Sequence, residues 1–236
     1  MTFYKQLSRY YDEIFAVTAA EMDFIKQQLS GCGQILDIGC GTGNKTELLT
    51  APDRKITGLD LDPAMIEKAR KLHGHPSIEY QVGNMTAIGR EFRGRLFDGV
   101  VCLGNTLVHL TDDSDLSAFF ESVAEIISPD GRLIIQILNY DHIMADNISE
   151  LPLIETDHVV FRRFYQWIEG RLRFAARLEV KGGDAFEDAV FLRPIKREDL
   201  DARLADAFKA VKYYGGYDGR PWAEDSFVCL AVADRR

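Results

Sequence analysis

Two acids bracket a cluster of glycines in this chain. Asp37 sits in the apolar run Ile35-Leu36-Asp37-Ile38, Gly39, Gly41 and Gly43 follow it, and Asp60 closes a second apolar run. Glycines at this spacing after a buried strand form a turn that opens a helix. Gly39 permits the tight turn, Gly41 lets the backbone approach a ligand, and Gly43 lets the helix pack close. An acid about 20 residues beyond such a loop is placed to accept hydrogen bonds from both ribose hydroxyls. Asp62, just before Pro63, is the better helix cap, which leaves Asp60 for the sugar. A nucleoside-bearing ligand is therefore expected. A dinucleotide would present its pyrophosphate to the helix start, where the Asp37 carboxylate would repel it.

S-adenosylmethionine has no phosphate and carries an ammonium and a sulfonium, charges that suit an acid at Asp37. It is the cofactor expected here, with S-adenosylhomocysteine as its product. Leu61 and Met65 belong to the expected cofactor-binding set, Met65 against the adenine face or simply as core packing. Asn84 offers a side-chain oxygen to the adenine amino group and Met85 a backbone N–H to the ring; an Asn at a strand end is also a common turn residue. Cys40, inside the loop, reads as a small buried filler.

Strand and helix signals alternate through the first part of the chain. Strands are expected at Gln34–Ile38, Lys55–Asp60, Ile78–Val82, Phe97–Leu103 and Arg132–Leu138, and helices from about Asn44, from Pro63 to Leu72, and over Leu116–Ile127. Pro63 sits where a helix start tolerates it, and Ser128-Pro129-Asp130-Gly131 reads as the stop of the last helix. Such βαβ alternation implies a parallel sheet with helices on both sides. Ahead of it, Gln6 to Leu29 holds two short amphipathic helical patterns, an N-terminal helical cap over residues 1–30. After Asn139 the period changes. Val159–Trp167, Arg171–Val180 and Ala189–Arg193 read as strands with turns at Glu169-Gly170 and Gly182-Gly183, a β-rich substrate-side insertion over 140–195. A helix from Arg197 to about Ala207 and a closing hairpin of Ala210–Tyr214 and Phe227–Val232 complete a single domain, residues 1–236. The insertion is expected over the carboxyl edge of the sheet, where open α/β sheets bind ligands.

At 236 residues, 46% hydrophobic and 28% charged, the chain has the apolar mass for one core. A net charge of −9 argues against nucleic acid as a partner, since that affinity comes from neutralising phosphates. No apolar run approaches a membrane span, and the first fifteen residues lack the apolar core of a secretory signal. Cys32, Cys40, Cys102 and Cys229 are scattered, with no CxxC and no paired histidines. Reduced thiols in a cytoplasm are expected, with neither a zinc site nor a disulfide framework.

The fourth strand leads into Cys102-Leu103-Gly104-Asn105-Thr106-Leu107-Val108-His109-Leu110. With that segment added, Ile35 to Leu138 resembles the class I S-adenosylmethionine-dependent methyltransferases. The CLGN..VHL and NYDHI segments resemble the glycine/sarcosine N-methyltransferase branch. The resemblance implies a Rossmann-like seven-stranded sheet, mostly parallel with one antiparallel strand, and a β-rich insertion after the fifth strand. It further implies that Asp37, Gly39, Gly41, Asp60, Asn84 and Leu103 contact the cofactor, Leu103 through a backbone carbonyl that accepts from the methionine ammonium. Asn105 matches a residue facing the acceptor, and His109 lies in the same wall, although a strand-end His often pins a loop through a structural hydrogen bond. Tyr10-Tyr11-Asp12-Glu13-Ile14-Phe15 resembles a segment that folds over the cofactor, so that Tyr11 either bonds the methionine carboxylate or packs an amphipathic helix.

One position departs from the branch. Its glycine-methylating members place an arginine before Asn-Tyr-Asp to clamp a carboxylate, and here Leu138 precedes Asn139, Tyr140 and Asp141. Leucine cannot imitate a bidentate arginine. The charge must come from Arg162, Arg163 or Arg193 of the insertion, or glycine is not the acceptor. Methyl transfer from a sulfonium releases a neutral thioether and needs no acid, so no catalytic residue is assigned. Asn105 and His109 are positioning candidates, with Asn139, Tyr140 and Arg163 on the acceptor side and Tyr4, Tyr10 and Tyr165 shaping the pocket. The expected function is methyl transfer to a small-molecule acceptor at nitrogen. The alternatives are a small-molecule O-methyltransferase, a nicotinamide-dependent oxidoreductase and a non-catalytic adenosylmethionine-binding module; transfer to protein or RNA is disfavoured by the negative charge.

Overall fold

Local sequence sets the elements. Two helices come first, α1 (Phe3–Ile14) and α2 (Ala19–Gln28), the second capped by Thr18, whose hydroxyl accepts the Glu21 N–H at 3.2 Å. The alternating part follows as β1 (Gln34–Ile38), α3 (Asn44–Leu48), β2 (Lys55–Asp60), α4 (Pro63–Leu72), β3 (Ile78–Val82), α5 (Ile88–Glu91), β4 (Phe97–Cys102), α6 (Asp113–Ile126), β5 (Ile127–Leu138) and α7 (Tyr140–Ala145). The rest is β6 (Ile154–Glu155), β7 (Val159–Ile168), β8 (Arg171–Val180), β9 (Ala185–Leu192), α8 (Arg197–Leu204), β10 (Phe208–Tyr214) and β11 (Val228–Arg235). These elements come from a computed structural model that describes residues 3–236, with side chains from Gln6 onward. The Tyr4 side chain, expected in the acceptor pocket, lies outside the described residues. Among the described residues no helix is long and apolar enough to cross a membrane.

The main sheet has seven strands in the order β10-β11-β5-β4-β1-β2-β3. Strands β1 to β5 pair in parallel, and β11 runs antiparallel to both of its neighbours. This is the expected sheet with one antiparallel strand. The chain starts at β1, moves outward to β3, and returns to lay β4 on the other side. The crevice at the carboxyl ends of β1 and β4 is therefore the topological switch point, the ligand-binding place of open α/β sheets. On one sheet face Phe24 and Ile25 of α2, with Leu29 just after it, pack on Ile35, Ile134 and Leu230; on the other Phe119, Phe120 and Val123 of α6 pack on Val100, Leu133 and Ile135.

The insertion forms a second, antiparallel sheet, β6-β7-β8-β9. Helix α1 joins the two layers: Leu7 and Ile14 pack on Val159, Phe161 and Leu178 of this sheet. Several boundaries differ from expectation. Ser128 to Gly131 do not end the structure before β5 but are carried within it, between the pairs Phe97↔Ile127 and Gly99↔Arg132. Asp130 takes a left-handed φ of 62° there, and Ser128 donates its hydroxyl hydrogen bond to Asp98 at 3.1 Å, so the turn residues form a bulge. Strand β9 starts at Ala185, four residues early, because β8 offers it continuous register from Glu179 onward, which tolerates the polar Glu187 and Asp188. Helix α8 stops at Leu204 rather than near Ala207.

Candidate active site

The loop after β1 requires its glycines. Gly39, Gly41 and Gly43 have φ of 72°, 58° and 83°, a region that side chains with a Cβ avoid. A Cβ at Gly39 would strike Thr106, and one at Gly43 would strike the Tyr80 hydroxyl, so the close neighbour at Gly43 is a β3 side chain. Over Gly41 lies the Tyr11 ring, whose hydroxyl oxygen would be 3.2 Å from an added Cβ. Asp60, at the end of β2, accepts the Gly41 N–H at 2.8 Å through one oxygen and the Asp62 N–H at 2.9 Å through the other. Asp62 itself caps α4 by accepting the Ala64 N–H at 2.8 Å, as expected. A carboxylate has about four acceptor positions, so Asp60 keeps about two for a ligand. Burial raises its pKa, opposed by the Asp62 and Gly41 N–H groups.

Asp37 is buried beneath the loop and accepts the Thr46 hydroxyl at 2.6 Å. Burial pushes its pKa up to about 6, against the Thr46 hydrogen bond and the charge of Lys45. Helix α1 is fastened over the loop. The Asp12 carboxylate accepts from the Thr42 hydroxyl and lies 2.9 Å from His73 Nε2, while His73 Nδ1 lies 2.6 Å from Glu47. Although burial opposes it, the Asp12 and Glu47 carboxylates raise the His73 pKa. Tyr11 is pressed between this helix and the loop, and burial raises its pKa, with Asp60 adding to the shift.

A cavity of about 450 Å³ lies between the switch point and the second sheet, within the usual size range of ligand sites. Of the residues expected at a site, Tyr11, Met65, Asn105, His109 and Arg163 line it. Asn105 sits in a left-handed turn, φ 64°, which aims its side chain at the cavity. Its Oδ1 accepts the Leu138 N–H at 3.0 Å and its Nδ2 donates to the Tyr140 hydroxyl at 3.1 Å, leaving one amide N–H and one lone pair free. His109 follows in a 3₁₀ turn, Leu107–His109, with its ring toward the cavity. No described residue hydrogen-bonds that ring, so the expected structural hydrogen bond is not formed among them. Surrounding protein lowers its pKa, which keeps the imidazole neutral near pH 7.

Other expected residues have different work. Asn139 is buried, and its amide donates to the carbonyls of Ala223, Glu224 and Ser226, the nearest at 2.9 Å. It staples the loop before β11 and does not line the cavity. Tyr140 is fully buried, its hydroxyl placed between Asn105 and Tyr165, 3.3 Å from the latter, so it positions Asn105 instead of facing the cavity. The Leu103 carbonyl accepts the Thr106 hydroxyl at 2.7 Å and retains one lone pair. Asn84 accepts the Thr86 N–H at 3.0 Å in a side-chain turn. Met85 packs on the core, and Leu61 is 69% exposed. None of Leu61, Asn84, Met85, Leu103, Asp37 or Asp60 lines the cavity itself. Arg162 pairs with Glu150 and Arg193 with Asp113, which leaves Arg163 as the arginine among these three that reaches the cavity.

Four further cavity residues carry no motif. Glu21 of α2 and Lys45 of α3 form an ion pair of 2.7 Å at the rim, and Asp188 of β9 adds an acid to the far wall. Gln136 accepts the Gly104 N–H at 2.7 Å, holding the turn that carries Asn105. As a polar residue inside the apolar run of β5, Gln136 does leave a trace in the sequence.

The residues suit an adenosylmethionine-type ligand: a glycine cradle that a Cβ would fill, an acid with free acceptor positions at a strand end, and an adjoining cavity. Comparison with known proteins agrees. A methyltransferase domain profile matches residues 35–131. The dTDP-3-amino-3,4,6-trideoxy-alpha-D-glucopyranose N,N-dimethyltransferase of Streptomyces venezuelae is 28% identical over 218 residues, covering 87% of this chain and 88% of that protein. The ubiquinone biosynthesis O-methyltransferase of Xylella fastidiosa (strain M23) is 30% identical over 213 residues, 89% of this chain and 74% of the relative. Glycine N-methyltransferase of Rattus norvegicus matches at 30% identity over 49% of this chain and 43% of its own length. Among solved structures, an S-adenosylmethionine-dependent methyltransferase from Clostridium acetobutylicum ATCC 824 superposes with a TM-score of 0.79 at 20% identity, covering 98% of both chains. The chain belongs to the class I S-adenosylmethionine-dependent methyltransferases.

Proposed function

We propose that this protein methylates a small-molecule amine. The observation that carries the reading is the cavity between the glycine loop and the second sheet, with the Asn105 amide fixed at its wall by Leu138 and Tyr140. Asp60 holds the ribose, Leu61 and Met65 flank the adenine, and Asn84 and Met85 meet its edge. Tyr11, the glycine loop and the Leu103 carbonyl enclose the methionine end, with Asp37 acting through its charge from below. The donor supplies a methyl group on a sulfonium whose leaving group is neutral. What the chain contributes is position, which lowers such barriers by roughly 7–11 kcal/mol, and exclusion of water. The free Asn105 groups orient the acceptor, and neutral His109 accepts the proton an amine must shed. An aminosugar N,N-dimethyltransferase among the relatives supports nitrogen as the target. The chain works as one domain, with residues 1–30 as cap and 140–195 as substrate-side insertion. A cytoplasmic setting is supported by the scattered cysteines, free in this fold, and the absence of a nucleic-acid partner by the net charge of −9.

A second reading, transfer to oxygen, is favoured by the cavity-facing His109, a base suited to a phenol, and by the O-methyltransferase relative. Labelled-methyl transfer over pooled amines, amino acids and phenols separates the two. Label on amines is expected; label on phenols alone overturns the assignment to nitrogen, and no label with any pool overturns small-molecule transfer.

A further inference from the structure

Strand register arranges the inner face of the second sheet in rows. Phe161, Leu178 and Phe186 form one, and Tyr165, Phe174 and Val190 another. Between them runs Arg163↔Ala176↔Asp188, and all three residues line the cavity. Residues directly opposed across strands share a face. One charged row thus crosses an otherwise apolar and aromatic wall. Its two charges stand two strand spacings apart, about 9–10 Å between backbones, and the small Ala176 leaves a gap between them.

Neither charge has an ion-pair partner among the described residues, which do not include the Lys5 side chain. Arg163 donates through Nη2 to the Pro152 carbonyl at 2.7 Å and lies 5.7 Å from the Phe161 ring centre, while its Nε is buried without a partner. No described carboxylate pairs with it, and residues 1–5 contain no acid. Asp188 accepts only its neighbour's N–H, from Ala189 at 2.8 Å, and no described Lys or Arg pairs with it. The outer face of the same sheet is built differently. Arg162, next to Arg163, pairs with Glu150 at 3.3 Å, and Arg177 pairs with Glu179 and Glu187 at 2.7 Å each. Burying a charge without a partner is unfavourable. Of the outer arginines Arg162 and Arg177 meet carboxylates, Arg171 lies over the Phe191 ring and Arg173 has no ion-pair partner among the described residues; what sets Arg163 apart is a buried, unpartnered Nε in the cavity wall, and the partner it lacks is a ligand.

We propose that this row is the acceptor's docking rail, and that the acceptor is an amine bearing an anionic group, carboxylate or phosphate. Arg163 takes the anion, and Asp188 takes a hydroxyl or ammonium hydrogen about one row's width away. The proposal rests on the reading of this cavity as the acceptor site. It also supplies, from the insertion, the cationic contact that Leu138 cannot make.

The test has two arms. In the first, labelled-methyl transfer is measured with three pools: neutral amines, amino carboxylates and aminoalkyl or aminosugar phosphates. Preference for one anionic pool identifies the source of the charge. Against the best acceptor, Arg163→Gln is expected to raise KM at least tenfold with kcat changed less than threefold, Arg163→Lys to recover part of the loss, and Asp188→Asn to raise KM severalfold. Arg162→Gln on the outer face leaves KM unchanged. Adenosylhomocysteine binding by calorimetry, kept within twofold, certifies that each variant is folded. In the second arm, the ¹⁵N-labelled Arg163 Nε–H signal is followed while glycine, then phosphoethanolamine, is added to the adenosylhomocysteine complex. A saturable shift with glycine or phosphoethanolamine, absent with ethanolamine, supports the rail even if no pool is methylated, a result that would sink methyl transfer instead. Neutral amines used as well as anionic ones, or no Arg163-dependent change in either arm, overturns the rail.

Discussion

At the glycine-loop end of the cavity nearly every polar group already has a protein partner; on the cavity face of the insertion sheet Arg163 and Asp188 have no ion-pair partner among the described residues. Asp60 is held by two backbone N–H groups, Asp37 by Thr46, and Asp12 by Thr42 and His73. The first arrangement is a rigid socket whose shape exists before any ligand arrives, as suits one unvarying donor. In the second, an apolar wall carries a few open charges, so the identity of the acceptor rests on very few side chains.

The largest effect should come from breaking the socket. Asp60→Ala removes the acceptor of the Gly41 and Asp62 N–H groups together with the proposed ribose contacts. Hydrogen bonds to charged groups are worth about 1.5–3 kcal/mol each, so adenosylhomocysteine affinity by calorimetry should fall on the order of 100-fold. Retained affinity would show that the socket does not depend on this acid. Asn105→Ala probes the boundary between the halves. It should lower kcat roughly tenfold, the size of one lost hydrogen bond, with donor affinity within twofold; an unchanged rate removes Asn105 from the site.

Titration of Asp37 sharpens the comparison further. Its pKa of about 6 lies above the ordinary 3.8, so in the free protein the acid is mostly ionised at pH 7 and neutral below about pH 6; its ionisation costs stability that is full above about 6, shrinks as pH falls from there, and is gone below 3.8. A cationic donor favours the ionised form. Donor affinity should therefore weaken below pH 6, by up to about tenfold per pH unit, and Asp37→Asn should flatten the profile. The smallest effect concerns the cap. His73 has a raised pKa between Asp12 and Glu47, so its contribution to fastening α1 is full below the ordinary 6.5 and fades as pH rises through the elevated value. Hydrogen exchange in α1 should quicken modestly over that range in the wild type and show no such step in His73→Gln.

Chain-local signals were the legible ones. The spacing of Gly39, Gly41 and Gly43 and the acids at strand ends depend on residues within a few positions of one another, and β1, β2, β3 and α4 begin and end where those signals place them. The bulge in β5 was not legible. Ser128-Pro129-Asp130-Gly131 has the composition of a turn, and only pairing with β4 on both sides of it decides that the strand continues. Asn139 and Tyr140 show the same limit at the site. Their types suit an acceptor, but packing buries both: the Asn139 amide nitrogen is taken up by the loop before β11 and the Tyr140 hydroxyl by Asn105 and Tyr165.

From sequence alone came the donor: the acids and glycines that point to it have places that follow from strand-turn-helix geometry. The acceptor wall was decided in three dimensions. Arg163, Ala176 and Asp188 come from three strands separated by turns, and nothing in their spacing along the chain marks them as neighbours. Register across the sheet makes them a row, because hydrogen bonding between strands, not sequence distance, sets which side chains share a face.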